Sequence, residues 1–243
     1  MSDQVVPKRQ ASEPHQTSIN AKLNWLRAGV LGANDGIVSV AGLVIGVAAV
    51  NPANTSAILT AGIAGLVAGA GSMAVGEYVS VSTQRDTERA LLEKERQELL
   101  DDPDGELEEL VGLYLERGLS PDTARTVAVE LTNKDALKAH LDVELGIDPD
   151  DLTNPWHAAI SSFVAFTLGA LLPVLMIVVP PPHLRIPTAF ATVVVALALT
   201  GGVSAHLGQA SRRRAALRVI AGGALAMGLT YLIGYLLGVS GVG

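Results

Sequence analysis

The sequence predicts an all-α integral membrane protein: five transmembrane helices plus a small cytoplasmic helical domain. Three observations carry that prediction. Five apolar runs each reach the roughly 20 residues that a helix needs to cross a bilayer core about 30 Å thick. An acidic block separates the second run from the third, with 20 Asp and Glu against 8 Lys and Arg over residues 83–155. Lys and Arg fall almost wholly on one set of alternate connections, which is the positive-inside bias of a helical membrane protein. The 49% hydrophobic content and net charge of −7 are therefore averages over unlike segments. The absence of cysteine excludes disulfides, thiolate zinc sites, iron–sulfur clusters and a Cys nucleophile. With 4% aromatics and no basic stripe, nothing points to nucleic acid.

Taken in order, residues 1–24 are polar, contain Pro7, Lys8, Arg9 and Pro14, and lack the charged-then-apolar pattern of a cleaved signal peptide. They are expected to form a disordered cytoplasmic tail. Residues 25–82 hold the first two spans, about Leu26–Val50 and Ala57–Val81, joined by the turn Asn51-Pro52-Ala53-Asn54. Residues 156–239 hold the other three: Trp156–Val179, Ile186–Leu207 and Leu217–Val239. Pro173 is expected to bend the third span, and Pro180-Pro181-Pro182 marks the loop after it. Arg212, Arg213 and Arg214 place the 208–216 loop in the cytoplasm with the N-terminus and the 83–155 insert. Arg185 is alone on the opposite side, where the C-terminus ends.

The insert contains four readable helices. One continues the second span from Thr83 to about Leu100. The next runs from Gly105 to Arg117, with Asp104 as N-cap and Gly118 as stop. The third starts at Ser120 with Pro121 in its first turn, and the fourth covers Lys134–Leu145 behind Asn133. Leu107, Leu110, Val111, Tyr114, Leu137 and Leu141 recur at helical spacing, which implies a packed unit.

Asp35 is the only carboxylate of the first span, in Gly32-Ala33-Asn34-Asp35-Gly36. A charge there costs on the order of 3 kcal/mol, so the side chain faces a bundle interior or a water-filled path, either as a protonated hydrogen-bonding group or as an ion site. Met73 and Glu77 share one face of the second span at i, i+4. A thioether beside carboxylate oxygens suits a borderline transition metal better than Ca²⁺ or Mg²⁺. Gly29, Gly32 and Gly36, and Gly62, Gly65, Gly69 and Gly76, make small-residue faces on the two helices; Gly65 and Gly69 form a small-xxx-small pair, and the two faces invite a symmetric dimer. In the insert, Glu95 and Glu98, Glu106 and Glu109, and His140 and Glu144 are helical-face pairs. Such pairs are frequent on solvated helices, so spacing alone favours that reading over an oxygen-rich divalent site with one imidazole.

The two membrane motifs, Gly32–Gly36 and Ser72-Met73-Ala74-Val75-Gly76-Glu77-Tyr78-Val79-Ser80, followed by Asn154-Pro155, resemble the vacuolar iron transporter family from about Leu26 to Gly238. The resemblance implies a five-helix protomer that dimerises, with a path between the two copies of the first and second spans, exchanging cytoplasmic Fe²⁺ for protons. It implies metal positions at Asp35, Met73 and Glu77, and at Glu95, Glu98, Glu106, Glu109 and Glu144. One departure is His140, one turn before Glu144, where a methionine is expected in plant relatives; an imidazole there makes that site pH-sensitive and alters its metal preference. No prosthetic group is implied; the partners are divalent metal ions, protons, the lipid bilayer and a second copy. Mn²⁺, Co²⁺ and Zn²⁺ are alternative substrates for this ligand set. A membrane di-iron oxidase would need Glu-x-x-His pairs, which the sequence lacks. A membrane scaffold with an acidic docking domain is the remaining rival. Composition hints at a bacterial source and an inner-membrane location.

Overall fold

The computed structural model describes residues 16–148, 153–208 and 210–240, with side chains from Trp25 on, Leu207 excepted. The helices are α1 (Gln16–Val50), α2 (Thr55–Asp101), α3 (Pro103–Glu116), α4 (Pro121–His140), α5 (Pro155–Val178), α6 (Arg185–Leu207) and α7 (Arg212–Val239). A π-turn, Leu141–Leu145, follows α4, and a 3₁₀ turn, Pro182–Leu184, precedes α6. Among the described residues, five of the seven α-helices are long and apolar enough to span a membrane: α1, α2, α5, α6 and α7. The chain is thus an all-α integral membrane protein, and no strand occurs among the described residues. α1 is helical from Gln16, the first described residue, so it includes residues 16–24 ahead of its apolar run; residues 1–15 lie outside those described. α7 likewise starts at Arg212, five residues ahead of its apolar run. Once a helix is nucleated, polar residues extend it at little cost.

The chain divides into two compact units, one comprising Asn24–Ser82 and Asn154–Gly243, the other containing Thr83–Thr153. α2 contributes to both, and its apolar portion closes near Val81. Asn154 and Pro155 belong to the membrane unit: the Asn154 side chain accepts from Trp156 N at 3.0 Å, capping α5, and Pro155 opens it.

In the membrane unit α1 is the central element. Its residues Ile37, Val40, Ala41, Val44, Ile45 and Ala48 form the core with Ile58 and Ala70 of α2, Phe166, Ala170, Val174 and Ile177 of α5, Ala189, Val193 and Leu197 of α6, and Met227 of α7. Backbone meets backbone at glycine. A Cβ on Gly36 would strike the main chain of Phe166, one on Gly32 would lie 2.7 Å from Ser162 O, and one on Gly234 would strike the main chain of Gly46. Gly65 and Gly69 behave differently from the sequence expectation, since the side chains of Leu43 and Phe166 fill the space beside them. Pro173 is buried inside a continuous α5. Arg185 is also buried. It donates to Pro52 O at 2.6 Å, Thr55 Oγ1 at 2.8 Å and Pro180 O at 3.3 Å, tying the α1–α2 turn to the α5–α6 connection.

In the other unit, Leu110, Val111, Ala124, Ala128, Ala139 and Val143 form a small core flanked by Leu107, Leu113, Tyr114, Leu119 and Leu131. α3 is capped by Asp102 instead of Asp104: Asp102 Oδ1 accepts from Gly105 N at 3.0 Å, because Pro103 is pre-shaped for the first helical position. Ser120 is the N-cap of α4, with its hydroxyl on Thr123 Oγ1 at 2.9 Å. The helix expected to start behind Asn133 is instead the end of α4, broken at Asp135 (φ −168°, ψ 93°). Asp135 Oδ1 accepts from Lys138 N at 3.0 Å, so this aspartate recaps the chain two residues later than expected.

Candidate metal centres

The membrane unit holds a cavity of about 480 Å³ between α1, α2 and α5. Asp35, Ser39, Val40 and Leu43 line it from α1, Ser72, Met73, Gly76 and Glu77 are among its α2 residues, and Phe166 comes from α5. Helical periodicity explains the set. Asp35, Ser39 and Leu43 follow one another at i, i+4, and so do Met73 and Glu77. Asp35 is exposed, while Met73 and Glu77 are half-buried. Ser39 Oγ donates to the main-chain carbonyl of Asp35 at 2.6 Å.

The rotation of α1 about its axis fixes where Asp35 points. At about 100° per residue, Gly32 and Gly36 lie roughly 60–100° to one side of Asp35, and Asn34 and Val38 a similar angle to the other. The glycine flank is pressed on the α5 backbone. On the opposite flank, Thr200 Oγ1 of α6 donates to Asn34 Oδ1 at 2.5 Å. The carboxylate is held between these two contacts and faces the cavity.

The second constellation lies in the insert. His140 and Glu95 are buried, and His140 Nδ1 stands 3.0 Å from Glu95 Oε1 and 3.6 Å from Glu106 Oε2. One ligand atom each from Glu95, His140 and Glu144 fall within 4.8 Å of one another. Three local features build this arrangement. The break at Asp135 redirects the end of α4, and the π-turn carries Glu144. Arg117, which closes α3, donates to the carbonyl of Val143 within the π-turn. Gly146 adopts the left-handed conformation (φ 63°), which lets Ile147 N close on Leu141 O at 2.9 Å.

The electrostatics are those of a site short of positive charge. Burial, and then the neighbouring Glu144, Glu106, Glu98 and Glu109, push the Glu95 carboxyl up to about 7. Glu106 is also raised, by burial first and then by Glu109, Glu98 and Glu144. Burial lowers His140, against the opposing pull of Glu144 and Glu109. Although Nδ1 is close to Glu95, the geometry makes no hydrogen bond, and neither ring nitrogen has a hydrogen-bond partner among the described residues. Buried polar atoms without partners are uncommon in folded proteins and point to a missing ion or water.

Of the residues singled out from sequence, the structure gathers Asp35, Met73 and Glu77 on one cavity, and Glu95, Glu106, His140 and Glu144 in one cluster. Glu98 turns to Lys94, whose Nζ sits 2.6 and 2.7 Å from its two oxygens. Glu109 is exposed and acts on the cluster through its charge. Ser39, Phe166 and the Asn34–Thr200 pair were not singled out. Ser39 has a signal, its i+4 spacing from Asp35; the other contacts join distant parts of the chain and have none.

A family model described as the VIT family matches residues 26–235. The chain is 46% identical over 225 residues to a protein of Acanthamoeba castellanii named vacuolar iron transporter, covering 92% of this chain and 82% of the relative. It is 38% identical over 240 residues to vacuolar iron transporter homolog 5 of Oryza sativa subsp. japonica, covering 98% and 93%. Vacuolar iron transporter homolog 2.1 of Arabidopsis thaliana is 34% identical over 236 residues, covering 95% and 91%.

Proposed function

The chain belongs to the VIT family, and from that premise we propose that it carries Fe²⁺ out of the cytoplasm across a membrane, in exchange for protons, along a path formed where two copies meet. It is a transporter and not an enzyme. The observation that carries this reading is the cavity on which Asp35, Met73 and Glu77 converge. Carboxylate oxygen with thioether sulfur is a ligand set for a borderline transition metal. Leu31, Asp35, Ser39 and Leu43 form an exposed stripe on α1. A carboxylate on such a stripe facing lipid costs on the order of 3 kcal/mol, and a second copy related by a two-fold axis removes that exposure. Two Asp35 and two Met73 then surround one ion, with Glu77 receiving it at the cytoplasmic mouth. Protons and metal compete for the same Asp35 oxygens, which couples their movements without a separate proton channel.

In the insert, Glu95, Glu106, His140 and Glu144, with Glu98 and Glu109 beside them, collect the cation from the cytoplasm. A divalent ion there supplies the charge that the buried Glu95 carboxyl and the unpartnered imidazole lack. The buried imidazole also supports a second reading, transport of Mn²⁺, Co²⁺ or Zn²⁺ by the same route. In a bacterial inner membrane this direction is export; in a vacuole it is storage.

The test is metal uptake into proteoliposomes with an internal pH probe, offering Fe²⁺, Mn²⁺, Co²⁺ and Zn²⁺ under an imposed proton gradient. Metal entry coupled to proton exit is expected, and Asp35→Ala should abolish it, with fold and dimer intact. Normal transport by Asp35→Ala rejects the mechanism. Entry without proton movement makes the protein a uniporter, and failure to move any metal brings the scaffold reading forward.

A further inference from the structure

The start of α7 carries a strong charge that the transport path does not use. Arg212, Arg213, Arg214 and Arg218 are all exposed. Arg212 pairs with His206 Nδ1 at 2.8 Å, whereas no ion pair engages Arg213, Arg214 or Arg218 among the described residues. The membrane unit offers them little: Asp35 and Glu77 are the only carboxylates in residues 24–82 and 154–243, and none follows Asp151. Arginines in a first turn also oppose the helix dipole, which favours acidic groups there. Helix stability therefore does not explain them; the positive-inside bias accounts for their side of the membrane, and anionic headgroups are the counter-charge offered there.

The rest of α7 indicates which anion. Arg214 and Arg218 are i, i+4, and Leu225, Leu229, Leu232 and Leu236 continue the same ridge at helical spacing. Those leucines are 65%, 52%, 50% and 57% exposed. On a spanning helix such a ridge faces acyl chains. On its two flanks, Gly222 and Gly228 have nothing within 4 Å of where a Cβ would stand, so open space borders the ridge. Arg218 lies seven residues before Leu225, about 10 Å along the axis, which sets the guanidinium at headgroup depth above the apolar ridge. Positive groups above an open apolar track match one molecule with a charged head and a long tail.

We propose that this face of α7 is a binding site for an anionic phospholipid, with its phosphodiester on Arg214 and Arg218 and an acyl chain along Gly222, Leu225, Gly228 and Leu232. Guanidinium is suited to the head because it grips phosphate oxygens in pairs. The site is separate from the metal path and does not depend on which ion is carried.

The test is native mass spectrometry of the full chain titrated with phosphatidylglycerol or phosphatidylcholine of matched acyl chains. Preferential retention of phosphatidylglycerol is expected. Arg214→Gln with Arg218→Gln should weaken it roughly thirtyfold, about fivefold per arginine, and leave phosphatidylcholine unchanged. The charge-keeping pair Arg214→Lys with Arg218→Lys should retain most of the preference, which separates lost charge from lost fold. Gly222→Leu, which fills the open space on one flank, should weaken both lipids. Equal binding of the two lipids by the unaltered chain overturns the site, as does a preference that survives the Gln pair. Displacement by excess inorganic phosphate also overturns it, since a bare anion site would then suffice. A thermal midpoint lowered equally in both lipids by the Gln pair, with no loss of lipid preference, would give the arginines to protein carboxylates instead.

Discussion

In the membrane unit, Asp35 is set by backbone contact: Gly32 and Gly36 rest on the α5 main chain, and Asn34 is bonded to Thr200 on the other flank. In the insert, Glu95 and His140 are set against their own electrostatics, buried together among Glu106, Glu144, Glu98 and Glu109. The first arrangement is rigid, sparse in ligands and open on one side. The second is rich in ligands, buried at Glu95 and His140, and short of cations. A site through which an ion passes needs a fixed geometry and weak hold; a site that gathers an ion from dilute solution gains from stored repulsion that the ion relieves. On the proposed function, the two regions divide those two tasks between them.

The largest effect should come from disturbing the rigid side. Gly36→Ala places a methyl group against the main chain of Phe166, which cannot yield as a side chain end would. Overpacking of this kind costs about 1–3 kcal/mol, seen as a lower thermal midpoint with loss of transport. Gly202→Ala, in α6 with open space around it, is the control and should be neutral or slightly stabilising. Equal effects from the two substitutions would break the claim that backbone contact sets α1.

The next effect belongs to the insert. Glu95→Gln should weaken metal binding by the full chain by about 10- to 100-fold, measured by calorimetry. Its pH dependence sharpens the contrast. Glu95 is raised from 4.5 to about 7 in the folded protein. The stability it contributes without metal is therefore fully present below its ordinary 4.5 and lost as pH climbs through about 7. Metal binding has the opposite slope, strengthening over the same window as the carboxyl ionises. Thermal melts of the metal-free protein between pH 4.5 and 8 should show the fall, and Glu95→Gln should flatten it. A slope unchanged in that variant would remove Glu95 as its source.

The same contrast governs what could be read in advance. The five spans were legible because hydropathy over twenty residues is a strong local signal, and Asp35 and Glu77 stood out against it. Helix ends were less so, since α1 and α7 run past their apolar segments into polar residues that cost little to wind. The polar lining of the membrane cavity comes from two neighbouring helices at i, i+4 spacing, so most of it was visible, while Phe166 of α5 was not. The insert cluster was legible only as one alternative, an oxygen-rich site with one imidazole, because its members pair along single helices. Glu95 and His140 meet across 45 residues through a helix break at Asp135, and neither has a distinctive local pattern. Spacing paired Glu98 with Glu95 and could not show that Lys94 at i−4 holds its carboxylate in this structure.

The smallest effect tests the polar flank of α1. Thr200→Val keeps the shape of the side chain and removes the donor to Asn34. Hydrogen bonds between membrane helices average about 0.6 kcal/mol, so the rate of transport should fall by only about threefold. Thr200→Ser retains the hydroxyl and should restore it. Because the bond lies one residue from Asp35, its loss should appear in the apparent KM for metal and leave metal binding by the insert unaltered. A fall in stability with unchanged KM would mean that Thr200 only packs α6 against α1, and that the glycine flank alone fixes the direction of Asp35.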